Sequence, residues 1–289
     1  FDIQRVGPST GMPTRTQQGD LQICAYASHG DTKHVCLYPA DPRECFEMAV
    51  NAFDLAERLQ TPVFVVSDLD VGMNDWMVPD LTWDDSYRAD RGKVLSDADL
   101  EKITKFSRYL DSDGDGIPYR TLPGCHPKGA NFNRGAGHNK WGGRTELSDE
   151  YQDVMDRLLG KWATAATLVP KPEIINARGG SPYGILTVGS CDGACKEALV
   201  RLGERGINID YLRVKGFPFS AEVEEFLAAH QRVFVIEQNR DAQMRGMLLN
   251  ETEVEKAKMT SVLHYDGMPM DYRQIVRVIE EAVGKEAAA

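Results

Sequence analysis

The sequence predicts an α/β protein. Two patterns carry that reading. Residues 35 to 66 run as a short apolar stretch, a capped amphipathic stretch and a second short apolar stretch, and from residue 184 onward four apolar runs alternate with four helical ones. A third observation makes the fold affordable: 289 residues, 42% hydrophobic and 27% charged, can bury a sizeable core without staples.

The elements follow in order. Asp20 to Ser28 alternates in part and, with Val35 to Tyr38, reads as strand. Asp41 then fits an N-cap, Pro42 the first helical position and Glu44 the capping-box position. Cys45, Met48, Ala49, Ala52, Phe53, Ala56 and Leu59 keep helical spacing until Gln60-Thr61-Pro62 breaks it. Val63 to Val66 is wholly apolar, as a buried parallel strand should be, so the stretch is a βαβ unit. Residues 72 to 95 are irregular, with Trp76 and Trp83 among scattered acids. Ser96, with Asp99 three residues on, opens a helix expected to reach Leu110. Residues 111 to 147 form a long Gly/Pro/Asn-rich loop, a length that is usually functional or linking. A helix from Ser148 to about Leu168 follows, and then Val169-Pro170-Lys171-Pro172 and Ala177 to Pro182 read as a connector.

After Gly184 the expected strands are Ile185 to Val188, Ile209 to Val214, Val233 to Ile236 and Ser261 to His264. They alternate with helices over Gly193 to Glu204, Ser220 to His230, Asp241 to Asn250 and Tyr272 to Val283. Such βα repetition makes a small open domain with a mostly parallel sheet. The domain boundary falls near residue 175, giving domains 1–175 and 176–289.

Charge and composition exclude several classes. There are 33 basic and 44 acidic residues, a net −11, with no long basic run, which argues against a nucleic-acid partner. No apolar stretch is long enough for a membrane span, and no secretory leader opens the chain. Six cysteines are too few for a disulfide scaffold and read as reduced thiols of a cytoplasmic protein. Cys24, Cys36, Cys45, Cys125, Cys191 and Cys195 show no ferredoxin-like run, so no metal role is assigned to them. The Asp111-Ser112-Asp113-Gly114-Asp115-Gly116 stretch matches the first half of a Ca²⁺ loop. Leu122 stands where the bidentate Glu belongs, which leaves a partial cation site or an acidic turn.

The densest chemistry lies between Arg5 and Asp20, where three glycines, two prolines, three threonines and two arginines crowd one loop. Arginine grips a carboxylate bidentately, and hydroxyls with loop amides can complete an anion site; a polar loop with solvated arginines is the alternative. Neither a Walker ending nor G-x-G-x-x-G is present. His29 and Asp31, after the expected strand end, could face a site or form a polar turn. His138 is similar.

RVGPSTGMPTRTQQGDL, starting at Arg5, resembles a signature of the alpha subunits of 2-oxoacid:ferredoxin oxidoreductases, most closely the 2-oxoglutarate branch. The likeness continues through SHGDTKHVCLYPADPRECFEMAVNAFDLAERLQTPVFVVSDLD, DGDGIPYRTLPG, RGAGHN, VFVIEQNRDAQMRGML and YDGMPMDYRQI, and so covers almost the whole chain. The resemblance implies the remainder of a thiamine-diphosphate pyrimidine-binding domain followed by a transketolase-C-terminal-like domain. It implies oxidative decarboxylation of a 2-oxoacid to the acyl-CoA, with electrons passed to ferredoxin and coenzyme A as cosubstrate. It places Arg5 on the substrate carboxylate and Thr10 and Thr14 in the pocket; Ser9, His29 and Asp31 are further pocket candidates from their positions in the sequence. Thiamine diphosphate, Mg²⁺ and a [4Fe-4S] cluster are expected mostly on a beta subunit. The EQN segment is expected to pack an interface. The family's YPITPSS-type motif and cofactor-activating glutamate are absent from these residues, and the chain opens on Phe1, so a C-terminal portion of a longer alpha subunit is expected, with the rest of that subunit as a partner. Pyruvate or a branched 2-oxoacid, a structural assembly role and a transketolase-like activity are the rival readings.

Overall fold

A computed structural model describes residues 1–132 and 135–287; Arg134 of the RGAGHN stretch lies outside the described residues. The strands are β1 (Asp2–Gln4), β2 (Val35–Leu37), β3 (Val63–Asp68), β4 (Glu173–Ile175), β5 (Tyr183–Val188), β6 (Asp210–Val214), β7 (Gly216–Phe217), β8 (Arg232–Glu237) and β9 (Met259–Leu263). The α-helices are α1 (Leu21–Ala25), α2 (Pro42–Leu59), α3 (Leu69–Met73), α4 (Asp97–Lys102), α5 (Ser148–Leu168), α6 (Asp192–Glu204), α7 (Ala221–Ala229), α8 (Gln243–Glu251) and α9 (Tyr272–Ala287). The chain divides into two compact units. The first comprises Phe1–Ala52, Pro62–Asp84 and Val169–Ala289, the second Phe53–Thr61 and Asp85–Leu168.

The first unit holds two sheets. One has the order β1-β3-β2-β7, with β1 and β2 parallel to β3 and β7 antiparallel to β2. The βαβ unit forms as its caps require: the Glu44 amide donates to Asp41 Oδ1 at 2.8 Å and the Ala40 amide to Glu44 Oε2 at 2.9 Å. The other sheet has the order β4-β6-β5-β8-β9, parallel except for the antiparallel edge strand β4. Its central strands are covered on both faces, which is why they read as unbroken apolar runs. Successive residues serve opposite faces. Leu186, Leu212 and Val235 join a core with Tyr38, Val66 and Met247, while Ile185, Tyr211, Phe234 and Ile236 pack on α6 and α9 through Cys195, Ala198 and Ile275.

Two expectations are corrected. Asp20 to Ser28 is not a strand: Leu21–Ala25 is helical, with the Cys24 amide donating to Asp20 O at 2.9 Å. Leu21, Cys24 and Ala25 are its buried face, and five residues are too few for helical spacing to stand apart from alternation. The helix opened by Ser96 ends at Lys102, although its capping box forms as expected. The β-branched pair Ile103-Thr104 is a poor continuation, and Phe106 is buried from irregular chain. Between the two connector stretches, Glu173–Ile175 forms β4, paired with β6 from Glu173↔Arg213 to Ile175↔Tyr211.

In the second unit the Asp-rich loop is occupied from within. Lys93 Nζ donates to Asp113 Oδ2 and Asp115 Oδ1, both at 2.7 Å, and to Ile117 O at 3.1 Å. Asp111 meanwhile accepts from the amides of Asp113, Gly114 and Gly116. The ammonium thus sits between the carboxylates that a divalent ion would need, and this turn is an acidic one closed by lysine. Lys93→Ala is expected to lower the thermal midpoint by a few degrees, and the loss should shrink in high salt, as circular dichroism melts would show.

Candidate functional site

The loop from Arg5 to Arg15 turns back on itself. The Val6 amide donates to Arg15 O at 3.0 Å, and the Arg15 amide to Met12 O at 3.1 Å. At its tip Gly11 has φ +49°, and a Cβ there would lie 2.2 Å from Val6 O, so no other residue fits this turn. The loop's stem is fixed by side-chain amides. Gln17 Oε1 accepts from the Gly7 amide at 3.0 Å. The Gln18 amide donates to Gln238 O at 2.7 Å, Gln18 Nε2 to Val188 O at 2.8 Å, and the Gln238 amide to Gln18 Oε1 at 3.0 Å. Asn239 Nδ2 donates to Gln18 O at 3.0 Å. Gln18 therefore ties the Arg5 loop to the ends of β5 and β8.

Two buried carboxylates anchor this junction. Asp68, 1% exposed at the end of β3, accepts from Ser190 Oγ at 2.6 Å and Thr16 Oγ1 at 3.1 Å, and also from the Asp70 and Val71 amides. Burial pushes its carboxyl above the usual range, and these donors oppose the shift. Glu237, wholly buried, accepts from Asn239 Nδ2 at 2.7 Å and from the Met244 and Arg245 amides, so it holds the start of α8. Burial raises it too. Gln18→Leu keeps the volume but leaves the Gln238 amide and Val188 O unpaired. It is expected to cost about 2–4 kcal/mol of stability in urea unfolding.

The loop walls a cleft of about 680 Å³ with Asp2, Asp20, Asn239, Arg240, Gln243 and Tyr265. Arg5 and Ser9 line it; Thr10, Thr14, His29 and Asp31 are exposed and do not. Because Leu21–Ala25 is helical, His29 and Asp31 do not follow a strand end as expected. Asp2 and Asp20 are both raised by partial burial, and Asp20 also by Asp2. Arg240 is paired with Asp241, its Nε lying 2.7 Å from Asp241 Oδ1. Arg5 is thus the cleft cation with no acid held against it within the loop, suited to a small carboxylate. The resemblance implies that the EQN segment, Glu237 to Asn239, packs an interface. It packs on the Arg5 loop, and its Asn239 lines this cleft beside Arg240, Asp241 and Gln243, a role that local patterns could not disclose because its partners are some 220 positions away, as in the Gln238–Gln18 bond. Among the described residues no group of three or more His, Cys, Asp or Glu is arranged to hold a metal ion. The donors lining the cleft, the Arg5 guanidinium and the Ser9 hydroxyl among them, are of a kind that can hold a carboxylate.

The comparisons with known proteins agree with this architecture. Residues 1–99 match the family model "Pyruvate flavodoxin/ferredoxin oxidoreductase, thiamine diP-bdg", and residues 182–275 match "Pyruvate:ferredoxin oxidoreductase core domain II". The 2-oxoacid:ferredoxin oxidoreductase alpha subunit of Saccharolobus solfataricus is 27% identical over 97% of this chain and 44% of its own length. The 2-oxoglutarate synthase subunit KorA of Methanocaldococcus jannaschii is 28% identical over 82% of this chain and 61% of its own length. Among solved structures, 2-oxoglutarate:ferredoxin oxidoreductase from Magnetococcus marinus, with 2-oxoglutarate, coenzyme A and succinyl-CoA bound, superposes with a TM-score of 0.79 at 26% identity, over 97% of this chain and 47% of that one. This chain therefore spans about half the length of the relatives it matches. With the Arg5 loop and the two sheets where the two family regions fall, the chain is a homologue of 2-oxoacid:ferredoxin oxidoreductase alpha subunits over almost its whole length.

Proposed function

We propose that this chain supplies part of the substrate pocket of a 2-oxoglutarate:ferredoxin oxidoreductase, which converts the 2-oxoacid and coenzyme A to succinyl-CoA and CO₂ while reducing ferredoxin. The observation that carries the reading is Arg5, exposed in a polar cleft and held on a loop fixed by Gln17 and Gln18, within the region that matches the thiamine-diphosphate-binding family model. The Magnetococcus marinus enzyme, bound to 2-oxoglutarate, coenzyme A and succinyl-CoA, supports the choice of substrate.

On this reading Arg5 neutralises and orients a substrate carboxylate. Thr10 and Thr14, on the same loop, are proposed to close over the substrate from the side a partner completes, because both are exposed here. Gln18, through the β5 and β8 ends, keeps the loop from shifting when the anion is bound. Thiamine diphosphate, when bound, supplies the electron sink for decarboxylation. Its diphosphate, Mg²⁺ and the [4Fe-4S] cluster are assigned to a beta subunit, with the remaining alpha-subunit residues completing the enzyme. A division near residue 175 into pyrimidine-binding and transketolase-C-terminal-like domains belongs to the same proposal. So does a cytoplasmic setting, for which the six free thiols speak; among the described residues no helix is long and apolar enough to cross a membrane.

The test is an assay of the full complex purified with its native partners. Coenzyme A-dependent reduction of ferredoxin should be faster, per kcat/KM, with 2-oxoglutarate than with pyruvate or a branched 2-oxoacid. A preference for pyruvate would overturn the substrate assignment, and no 2-oxoacid-dependent reduction at all would leave the chain an assembly subunit.

A further inference from the structure

The cleft walled by the Arg5 loop carries charge of both signs, and the proposed activity uses only one of them. With Arg240 paired to Asp241, the charges left in it are the Arg5 guanidinium and two carboxylates, Asp2 at the start of β1 and Asp20 just before α1. Three residues of extended chain, about 10 Å, separate the Cα atoms of Asp2 and Arg5. Among the described residues no cation lies within 4.0 Å of either carboxylate, and the Phe1 amine acts on Asp2 only from beyond that distance.

Both carboxylates are also short of donors. Asp2 Oδ2 has only the Cys24 thiol, a weak donor, at 3.5 Å, and the Asp20 side chain caps nothing although it stands at the N-cap of α1. Both residues are half-buried. Burial raises both carboxyls, and Asp2 raises Asp20 further, as expected of like charges held in one cleft without a counterion.

The chemistry of the missing partner follows from the two poles. A simple anion satisfies Arg5 and is repelled by the carboxylates. A metal ion would satisfy only the carboxylates, and among the described residues no group of three or more ligating side chains is arranged to hold one. A small zwitterion answers both, with a carboxylate for the guanidinium and an ammonium for the acids.

We propose that this cleft binds an α-amino acid, with a carboxylate on Arg5 and the ammonium between Asp2 and Asp20, and that the aminated counterpart of the 2-oxoacid thereby competes with it. The competition rests on the activity proposed above; the binding rests on the cleft alone. The 2-oxoacid has no cation to offer Asp2 and Asp20, so the two ligands share Arg5 and differ at the acidic pole.

The test is calorimetric titration of the complex, purified with its native partners, with L-glutamate and with glutarate, the same dicarboxylate without the amine. L-Glutamate is expected to bind at least about tenfold tighter than glutarate. Asp20→Asn keeps a residue suited to the N-cap and should erase that preference, weakening L-glutamate about tenfold and leaving glutarate no weaker. Asp2→Asn should act in the same direction, and melting curves show whether each variant folds. Arg5→Ala should weaken both ligands. In steady-state assays L-glutamate should raise KM for 2-oxoglutarate with kcat unchanged. No binding of L-glutamate, equal affinity for the two ligands, or a preference that survives both Asp20→Asn and Asp2→Asn overturns the proposal. Calorimetry involves no turnover, so a complex that prefers L-glutamate through Asp20 but does not use 2-oxoglutarate keeps this site and loses the activity assigned above.

Discussion

Replacing Arg5 by alanine in the assembled enzyme is expected to lower kcat/KM for the 2-oxoacid by about 30- to 1,000-fold, equivalent to about 2–4 kcal/mol of lost transition-state stabilisation. The size follows from what would be left behind: a carboxylate desolvated in the cleft without its guanidinium. Arg5→Lys should recover only part of the loss, because a point charge cannot make the paired contact. Stability should change by less than about 0.5 kcal/mol, since Arg5 is exposed and sits on a loop held by its neighbours. Steady-state kinetics beside a urea titration separate the two effects. Unchanged kcat/KM would remove Arg5 from the substrate site.

The largest effect on stability is expected at Arg213. Its guanidinium, 4% exposed on β6, donates to both oxygens of Glu44 at 2.7 and 2.8 Å and to Glu173 at 3.0 Å. Lys215 adds a 2.7 Å contact to Glu44. Arg213→Met leaves Glu44 largely buried with one cation fewer and should cost about 3–5 kcal/mol. The same site makes a pH prediction. Burial alone would raise the Glu44 carboxyl, but Arg213 and Lys215 overcome it and hold it at about 2, below its ordinary value of 4.5. A carboxyl depressed by folding stabilises the native state at pH values above 4.5, and that contribution, about 3 kcal/mol, drains away as pH falls towards 2. Thermal melts from pH 6 to pH 2 should show this acid limb in the wild type and a shallower one in Arg213→Met.

The strands and helices that local chemistry specifies were legible in the sequence. The Asp41-Pro42-Glu44 cap and the apolar runs at 63–66, 185–188 and 233–236 need only their own residues to be recognised, and each forms within a residue or two of where it is expected. What stayed hidden depends on distant partners. The two-residue strand β7 exists because Cys36 and Leu37 accept it as a neighbour, and β4 because β6 has a free edge. Lys93 gives no local sign that it closes the loop at Asp113 and Asp115. In the site, the sequence marks the Arg5 loop as an anion-site candidate beside the alternative of a solvated polar loop, and the structure adds that Arg5 lines a cleft. The amides that fix it were not legible, since Gln18, Gln238 and Asn239 are unremarkable until the fold brings them together.

The Gln18–Gln238 pairing also sets a schedule for synthesis. Translation at about 5–20 residues per second means that the Arg5 loop emerges roughly 10–40 s before its anchor strand β8 has been made. During that interval Gln18, Thr16 and the apolar face of α1 have no partner from the later half of the chain. Ribosome-bound chains halted before residue 232 should therefore be cut within residues 5–25 far faster than chains released after folding.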